Sequence, residues 1–386
     1  MESTSEFLLA LGGILLLGLV TNTIGRRTFL PRVTLLLIFG AIIGKAGFDI
    51  IPNVFTDRFE LITDMALLMI GFLLGGKLTF STLKNAANQM LWISISAAII
   101  TAVIVSIGLM LVGVSKEISI LLGCISSATA PAAVFDVVEE SKHKGPFSQL
   151  LLQIVALDDA WALILFGFGV AIVTSLNGHV SFISPIIAVL NEIGGAMLLG
   201  LIIGLPAAYL TGRIKPGQPI LTEALGLVFV CGGFAIMFEV SFLIASMIMG
   251  ATVANLAKHH DYPFHAIEGI EWPFMVVFFV LAGATLEIHA LEEIGFIGLV
   301  YVICRSIGKY LGALFGGYCS KAGNDIKNWM GVALLPQAGV AIGMVLVASK
   351  YFPEYRQTLL SVIISSTILF ELIGPVFTRM AIQKAK

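Results

Sequence analysis

The chain has 386 residues, of which 58% are hydrophobic and 12% are charged, and its mean hydropathy is +1.00. Soluble domains carry about 25% charged residues, so this composition excludes an ordinary soluble protein and predicts an all-α polytopic membrane protein in a lipid bilayer. The formal net charge of −2 gives no reason to expect a nucleic-acid partner. The four cysteines lie in apolar segments without paired ligand spacing, which indicates buried hydrophobic residues rather than a metal site or disulfides.

Apolar segments follow one another along the chain, separated by short loops of Gly, Pro, Asn and Lys. Because a membrane span needs about 20 apolar residues, we predict about thirteen transmembrane helices. They cover residues 7–25, 31–47, 61–76, 88–113, 117–140, 147–175, 184–212, 219–238, 240–257, 267–286, 291–319, 326–350 and 355–381. The acidic opening MESTSE lacks the basic region of a signal peptide, so we expect the first segment to be retained.

The positions of the basic residues predict an orientation. Most of the 22 Lys and Arg residues fall in loops that lie on one side when these segments alternate across the bilayer. Since cytoplasmic loops carry the excess of Lys and Arg, we expect a multi-pass protein of the cell (inner) membrane with its N-terminus outside and its C-terminus in the cytoplasm. Arg305 and Lys309 belong to no loop, because both lie inside the eleventh segment.

Two adjacent acids, Asp158 and Asp159, lie in the apolar stretch QIVALDDAWALIL of the sixth segment. A charged carboxylate at the centre of a bilayer costs on the order of 3 kcal/mol, so this pair needs partners or a function. Neighbouring helix positions point about 100° apart, and one aspartate can therefore face a structural partner while the other faces a water-filled path. The alternative is a pair of buried, satisfied carboxylates that bind no ligand.

Two segments are interrupted by residues that break helices. The fifth carries Thr129, Ala130 and Pro131 near its middle, and the twelfth carries Pro336 and Gln337. A single proline often produces no more than a kink. Two interruptions at corresponding places in two halves are instead the pattern of a transporter site made of discontinuous helices.

A charge inside the membrane can balance the helix ends that meet at such a site. Lys309 is the candidate for this role, since it lies about 18 residues into its segment, although a tilted helix would let its side chain reach the membrane surface instead.

The motifs together resemble a known family. They are ATAP in the fifth segment, LDDAW in the sixth, RSIGKYLG in the eleventh and LLPQAG in the twelfth. This combination is similar to the monovalent cation/proton antiporter superfamily, specifically its bacterial sodium/proton antiporters with an Asp-Asp pair. The resemblance covers essentially the whole chain. It implies the sodium/proton antiporter fold, with an inverted repeat and two crossing discontinuous helices.

The resemblance also implies an activity. It describes a secondary active transporter that exchanges Na⁺ (or Li⁺) for H⁺ by alternating access, that is not an enzyme, that uses no cofactor besides the transported ions, and that forms a homodimer. Helices 1–3 (residues 1–87) and 8–10 (residues 216–288) would then form a scaffold and dimer domain. Helices 4–6 (residues 88–180) and 11–13 (residues 289–386) would form the transport core, with residues 181–215 as a linker helix.

Site residues follow from the same resemblance. Asp159 is expected to bind Na⁺ and exchange it for protons, and Asp158, a second candidate Na⁺ ligand, to form a salt bridge with Lys309. Thr129 and Ser127 are further candidate ion-binding residues, expected to line the crossing between the helix breaks at Pro131 and Pro336. If Na⁺ displaces one proton from the free aspartate and a second from the lysine, two protons exchange for one Na⁺ and the cycle carries net charge.

The sequence departs from some branches of the superfamily by carrying Ala130 where they place an acid before the proline, which removes one carboxylate ligand from the fifth segment.

Other charged groups have weaker assignments. Arg305 lies one turn from Lys309 and could pair with Glu371 or Asp136, so we count Arg305 and Glu371 with Lys309 as charge-balancing residues. A cluster of charged and titratable residues lies in a predicted cytoplasmic loop and consists of Lys258, His259, His260, Asp261 and His265. Histidine titrates near physiological pH, which allows a pH sensor, but most such charge runs simply face water.

Two alternatives remain at this stage. One is a K⁺/H⁺ antiporter of the same superfamily, because oxygen ligands suit every alkali cation and the sequence does not rank them. The other is an intramembrane aspartyl protease. Its two aspartates must face each other, and Asp158 and Asp159 point in different directions because they are adjacent on one helix.

Overall fold

A computed structural model describes residues 4–28, 30–44, 47–48, 50–51, 59–141, 145–176, 183–211, 220–257, 261–284, 295–337 and 340–385. Within these ranges the chain forms fifteen α-helices and a short 3₁₀ turn, and no strand. The first eight helices are α1 (Thr4–Arg27), α2 (Arg32–Ile43), α3 (Phe59–Gly76), α4 (Phe80–Leu111), α5 (Lys116–Ile125), α6 (Pro131–Glu140), α7 (Pro146–Leu176) and α8 (Ile183–Thr211). The others are α9 (Ile220–Met237), α10 (Phe242–Leu256), α11 (Asp261–Ala284), α12 (Gly295–Cys319), α13 (Asn324–Ala333), α14 (Val340–Tyr351) and α15 (Arg356–Lys384).

The predicted all-α class is confirmed, but the predicted count of spans is not. In the described part of the chain, eight helices are long and apolar enough to cross a membrane, and several shorter apolar helices accompany them. The fifth predicted span is divided into α5 and α6, and the twelfth into α13 and α14. A helix of 10 residues, such as α5 or α6, is about 15 Å long and cannot cross a hydrocarbon core of about 30 Å alone.

Some predicted features lie outside the described residues. They include the basic residues Lys45, Arg58, Lys142, Lys144, Arg213, Lys215 and Lys386, which contribute to the predicted orientation, the cluster residues Lys258, His259 and His260, and Ala338 and Gly339 of the motif LLPQAG.

The chain divides into two compact units. Unit 1 comprises Met1–Lys84 and Glu192–Leu286, and unit 2 comprises Asn85–Asn191 and Glu287–Lys386. One boundary lies inside α8, the helix predicted to be a separate linker. The assignment of the two units to a scaffold and a transport core stays a prediction.

Helices in unit 1 approach one another closely at glycines. Gly40 on α2 and Gly283 on α11 each lie against the backbone of the other helix, so that a Cβ atom at either position would clash with a carbonyl oxygen across the contact. Gly75 on α3 and Gly250 on α10 form a second reciprocal pair of the same kind. Small residues permit such backbone contact between membrane helices, where close packing replaces the hydrophobic effect as the main attraction.

Unit 2 has an apolar cluster that surrounds its interrupted helices. Buried side chains of α5, α7, α14 and α15 form it, among them Leu121, Phe166, Val345 and Ile363. Tyr301 of α12 is fully buried in the same cluster. The polar groups of the interrupted helices are therefore enclosed by packed apolar side chains.

Candidate functional site

The first interruption separates α5 from α6. Helix α5 ends at Ile125, and Ala130 precedes α6 in an extended conformation with φ −84° and ψ 101°. Pro131 then occupies the first turn of α6. Proline is well suited to that position, because its missing N–H would have no partner there and its φ already matches the helix. The sequence ATAP thus ends one run of helix and starts another.

The second interruption lies between Ala333, the last residue of α13, and Val340, the first of α14. The backbone N–H of Ala130 in the first break donates to the carbonyl oxygen of Pro336 in the second, at 3.0 Å. Two segments of non-helical backbone therefore meet inside unit 2. The predicted crossing of two discontinuous helices is confirmed.

The guanidinium of Arg305 joins both breaks. Its Nε donates to the carbonyl oxygen of Ser126 at 3.1 Å, and its Nη2 to that of Ala128 at 2.8 Å. Its Nη1 donates to the carbonyl of Leu335 at 2.7 Å, with a longer Nη2 contact to Pro336 at 3.4 Å. Carbonyl groups at a helix C-terminus lack helical partners and carry partial negative charge. One buried cation therefore satisfies carbonyls from both interrupted helices.

This arrangement corrects the predicted partner of Arg305. Within the described residues, no ion pair joins it to Glu371 or Asp136. Its guanidinium also lies over the ring of Phe370, 4.3 Å from the centroid. The prediction was wrong because it considered only side-chain acids, whereas the exposed backbone of the breaks offered nearer acceptors.

The ion pair implied by the resemblance is present. Lys309 Nζ lies 2.9 Å from Asp158 Oδ2, and both side chains are fully buried. Lys309 also donates to the hydroxyl of Thr129 at 2.8 Å and to the carbonyl oxygen of Ser127 at 2.7 Å. The hydroxyl of Thr129 in turn donates to the same carboxylate oxygen. Lys309 thus links α7 to the first break.

Ser127 takes part mainly through its backbone. Its hydroxyl donates to the carbonyl oxygen of Cys124 at 2.7 Å, in its own segment, while its carbonyl accepts from Lys309. The expected role of Ser127 as an ion ligand stays a prediction. In this structure the hydroxyl of Ser127 is hydrogen-bonded within its own segment.

Asp159 differs from its neighbour. It is 4% exposed, and neither carboxylate oxygen has a hydrogen-bond partner among the described residues. Asp158 is 0% exposed, but one of its oxygens holds Lys309 and Thr129. The two adjacent aspartates therefore have different surroundings, as expected from their neighbouring positions on one helix. A buried carboxylate without a partner is available to a proton or a cation.

Sequence reasoning missed a second polar contact at the crossing. Gln337 of the second break donates from Nε2 to the hydroxyl of Tyr301 at 3.1 Å, and both residues are fully buried. The other amide atom of Gln337, its Oε1, has no partner within the described part of the chain. Gln337 was visible in the sequence as part of LLPQAG, but nothing there identified Tyr301, which is four residues before Arg305.

Comparisons with known proteins identify the family of this chain. A family model described as "Sodium/hydrogen exchanger, transmembrane" matches residues 12–383. The chain belongs to the sodium/hydrogen exchanger family. The predicted resemblance to cation/proton antiporters is therefore confirmed, and this exchanger is a multi-pass membrane transporter rather than an enzyme.

Individual relatives match over almost the whole length of the exchanger. The Na⁺/H⁺ antiporter of Enterococcus hirae is 22% identical over 384 residues, which cover 95% of this chain and 98% of that protein. The ammonium/H⁺ antiporter subunit AmhT of Alkalihalophilus pseudofirmus is 20% identical over 386 residues, covering 98% and 96% of the two chains. The solved structure of the sodium proton antiporter MjNhaP1 from Methanocaldococcus jannaschii matches with a TM-score of 0.72 and 20% identity over 98% of this chain and 96% of that one. The exchanger thus shares the fold of that antiporter.

Proposed function

We propose that this exchanger moves Na⁺ in one direction and H⁺ in the other, and that both ions compete for Asp159. The observation that carries this proposal is the contrast between two adjacent acids: Asp158 is neutralised by Lys309, whereas Asp159 is buried with neither oxygen hydrogen-bonded to any described residue. An unpaired charge in the membrane is costly, so this carboxylate is stable only with a proton or a cation bound. Because one site holds one of the two ions at a time, competition couples their movements.

The relatives support Na⁺ as the exchanged cation. The proteins from Enterococcus hirae and Synechocystis are named Na⁺/H⁺ antiporters, and they match 95% and 91% of this chain. Oxygen ligands are also the type that alkali cations prefer. None of these relatives is named for K⁺, so the K⁺/H⁺ alternative is not favoured.

The hydrogen bonds around Lys309 support the release of a second proton, from Lys309 itself, when Na⁺ binds. The hydroxyl of Thr129 and one oxygen of Asp158 are both occupied by Lys309, so neither is open to Na⁺ until that contact loosens. If Na⁺ binding separates the pair, Lys309 can release a proton, and Asp159 releases another. Two H⁺ then leave for each Na⁺ that binds, and one net charge crosses the membrane per cycle.

Arg305 would allow the crossing to move as one piece. It holds carbonyl oxygens of both breaks from α12, the helix that also carries Lys309. We therefore assign alternating access to movement of unit 2, with unit 1 as the scaffold of a homodimer. In this proposal the N-terminus is outside the cell (inner) membrane and the C-terminus is cytoplasmic, as the distribution of Lys and Arg predicts.

Asp159→Asn tests the proposed site. Everted membrane vesicles that contain the variant are acidified, and the recovery of a pH-sensitive dye is followed after Na⁺, Li⁺, K⁺ or NH₄⁺ is added. We expect the wild-type protein to respond to Na⁺ and Li⁺ and the variant to respond to none of the ions. Asp325→Asn, on the exposed first turn of α13, is the matched control and should retain activity. Na⁺-driven proton movement by the Asp159 variant would contradict the assignment, and a wild-type response to K⁺ alone would contradict Na⁺ as the substrate.

A further inference from the structure

Glu371 is the only acidic residue of α15, and it lies near the middle of this 29-residue helix. Its side chain is partly buried, and no hydrogen bond or ion pair to it is found among the described residues. A carboxylate at this depth is costly unless it is paired or has a function. Neither the Asp158–Lys309 pair nor the role of Asp159 requires it.

The accessible part of Glu371 faces the interior of unit 2. Ile373 and Phe377 on α15 are 38% and 37% exposed, whereas Gly374 and Thr378 are buried. At about 100° per residue, Glu371 projects about 20° from Thr378 but more than about 100° from Ile373 and Phe377. The exposed part of the Glu371 side chain therefore lies on the side of α15 that packs against other helices of unit 2.

Contacts on either side of Glu371 place it between the two interrupted helices. On one side, the backbone of Gly374 contacts Pro336 in the second break. The hydroxyl of Thr378 donates to the carbonyl oxygen at the end of α13, at 2.9 Å. On the other side, Arg379 Nη1 lies 3.5 Å from Glu140 Oε1 at the end of α6. Because Gly374 is three residues after Glu371, the carboxylate lies within about one turn of the level of the crossing.

Further uncommitted oxygens lie on the same face. Thr367, one turn before Glu371, is 3% exposed, and its hydroxyl has no hydrogen-bond partner among the residues that the structure describes. Residues at i and i+4 on a helix are neighbours, with Cβ atoms about 5–6 Å apart. Pro375 lies inside α15 and has no N–H to donate to the carbonyl of Glu371 four residues before it. A carboxylate, a hydroxyl and a backbone carbonyl therefore lie on one face of α15 within about two turns.

The nearby cations are already used. Arg305 donates to backbone carbonyls of the two breaks, and Arg379 pairs with Glu140. The other acid on this side of α6, Asp136, is buried. Hard oxygen ligands of this kind suit alkali cations.

We propose that Glu371, together with Thr367, forms a second binding site for an alkali cation, which protons compete for, beside the crossing and distinct from Asp159. The site would hold Na⁺ on its route between the crossing and the ends of α6 and α15. It rests on the proposed function only in taking Na⁺ as the ion.

The test uses purified full-length protein in which Asp159→Asn has removed the first site. Binding of ²²Na⁺ is measured by scintillation proximity over a range of Na⁺ concentrations and at two pH values. We expect saturable binding to remain, to weaken at the lower pH, and to disappear when Glu371→Gln is added. Glu192→Gln, which changes a partly buried acid on α8, is the matched control and should leave the residual binding unchanged. Absence of residual binding, or residual binding that survives Glu371→Gln, would overturn the proposal.

Two further variants guard against simple misfolding. Glu371→Asp retains a carboxylate and should retain weakened binding, and Thr367→Val should weaken it several-fold without abolishing it. Size-exclusion profiles equal to that of the parent protein show that each variant is folded. In a wild-type Asp159 background, Glu371→Gln should keep Na⁺-driven proton movement but raise the Na⁺ concentration for half-maximal response. If the wild-type protein moved no Na⁺, the proposed function would fail, whereas the binding measurement would still decide whether Glu371 forms a site.

Discussion

Units 1 and 2 hold their helices together by different means. In unit 1, reciprocal glycines such as Gly40 and Gly283 bring helix backbones into contact, and the fully buried polar side chains are mostly hydroxyls. In unit 2, charged side chains are fully buried at the crossing, and each holds backbone or side-chain atoms of a second element. They include Asp158, Arg305 and Lys309. The glycine contacts of unit 1 depend on close backbone packing, whereas the crossing in unit 2 depends on the balance of buried charges.

The difference affects how each unit responds to ions. Close packing of small residues gains dispersion energy that does not depend on a bound ion. A buried ion pair contributes little net stability because desolvation offsets the attraction, but removal of one partner costs a great deal. The arrival or loss of a single cation can therefore change the energy of unit 2 while leaving unit 1 unaffected. This is the property that a fixed scaffold and a moving transport core require.

The largest expected effect tests the charge balance of unit 2. Lys309→Met leaves Asp158 buried without its cation, so we expect a loss of about 3–5 kcal/mol of stability, measured by denaturant titration in detergent. Asp158→Asn combined with Lys309→Met should recover most of the loss, because no unpaired charge remains. If the double variant were as unstable as the sum of the single ones, the two residues would be independent, and unit 2 would not depend on charge balance as described.

The same pair sharpens the transport proposal. In proteoliposomes, the wild-type exchanger should produce a current when Na⁺ is added, because two protons exchange for one Na⁺. The double variant that lacks both Asp158 and Lys309 charges should still exchange ions through Asp159 but carry no net charge. A current of wild-type size from the double variant would show that the second proton does not come from Lys309.

A somewhat smaller effect is expected at Arg305. Arg305→Met removes hydrogen bonds to carbonyl oxygens of both breaks, including those of Ala128 and Leu335, and we expect a loss of about 3 kcal/mol. Arg305→Lys should recover only part of it, because lysine cannot reach several carbonyls with the fork of a guanidinium. Denaturant titration in detergent measures both variants. Full stability of the methionine variant would mean that the breaks do not need this cation.

An intermediate effect is expected in unit 1. Gly283→Ala places a Cβ atom against a backbone oxygen of α2, and such overpacking costs about 1–3 kcal/mol. Gly226→Ala on α9 is the control, since nothing lies within 4 Å of its Cβ position. The stability loss should be the same with and without Na⁺. A loss that depended on Na⁺ would show that unit 1 takes part in ion binding and would remove the contrast between the units.

Part of the site could be predicted because membrane burial makes charges conspicuous. Asp158, Asp159 and Lys309 stand out in apolar segments, and the prolines at 131 and 336 indicate where helices end. These signals are local, and each requires only the residue and its immediate neighbours. The resemblance then supplied the pairing of Asp158 with Lys309.

The remainder depends on backbone atoms and on contacts distant in sequence. The acceptors of Arg305 are carbonyl groups, which every residue has, so no residue type identifies them. The interruptions of the fifth and twelfth segments were predicted from their prolines, but hydropathy alone does not show where each half-helix ends. The neighbours of Gly40 and Gly283 also required the structure, since small residues become specific only when another backbone lies against them.

The smallest expected effect concerns the contact that the sequence did not reveal. Tyr301→Phe removes the hydroxyl that accepts from Gln337 and leaves the aromatic ring in the apolar cluster. The amide of Gln337 then lacks a partner for Nε2 as well as for Oε1, and we expect a loss of about 1 kcal/mol, measured by denaturant titration in detergent. Tyr310→Phe, at a side chain on α12 that is 37% exposed, is the control and should change stability much less. If Tyr301→Phe were neutral but Tyr301→Phe with Gln337→Leu were stabilising, the buried polar pair would lower the stability of unit 2 at its crossing. Such a result would extend the contrast with unit 1, where reciprocal glycines bring helix backbones into contact.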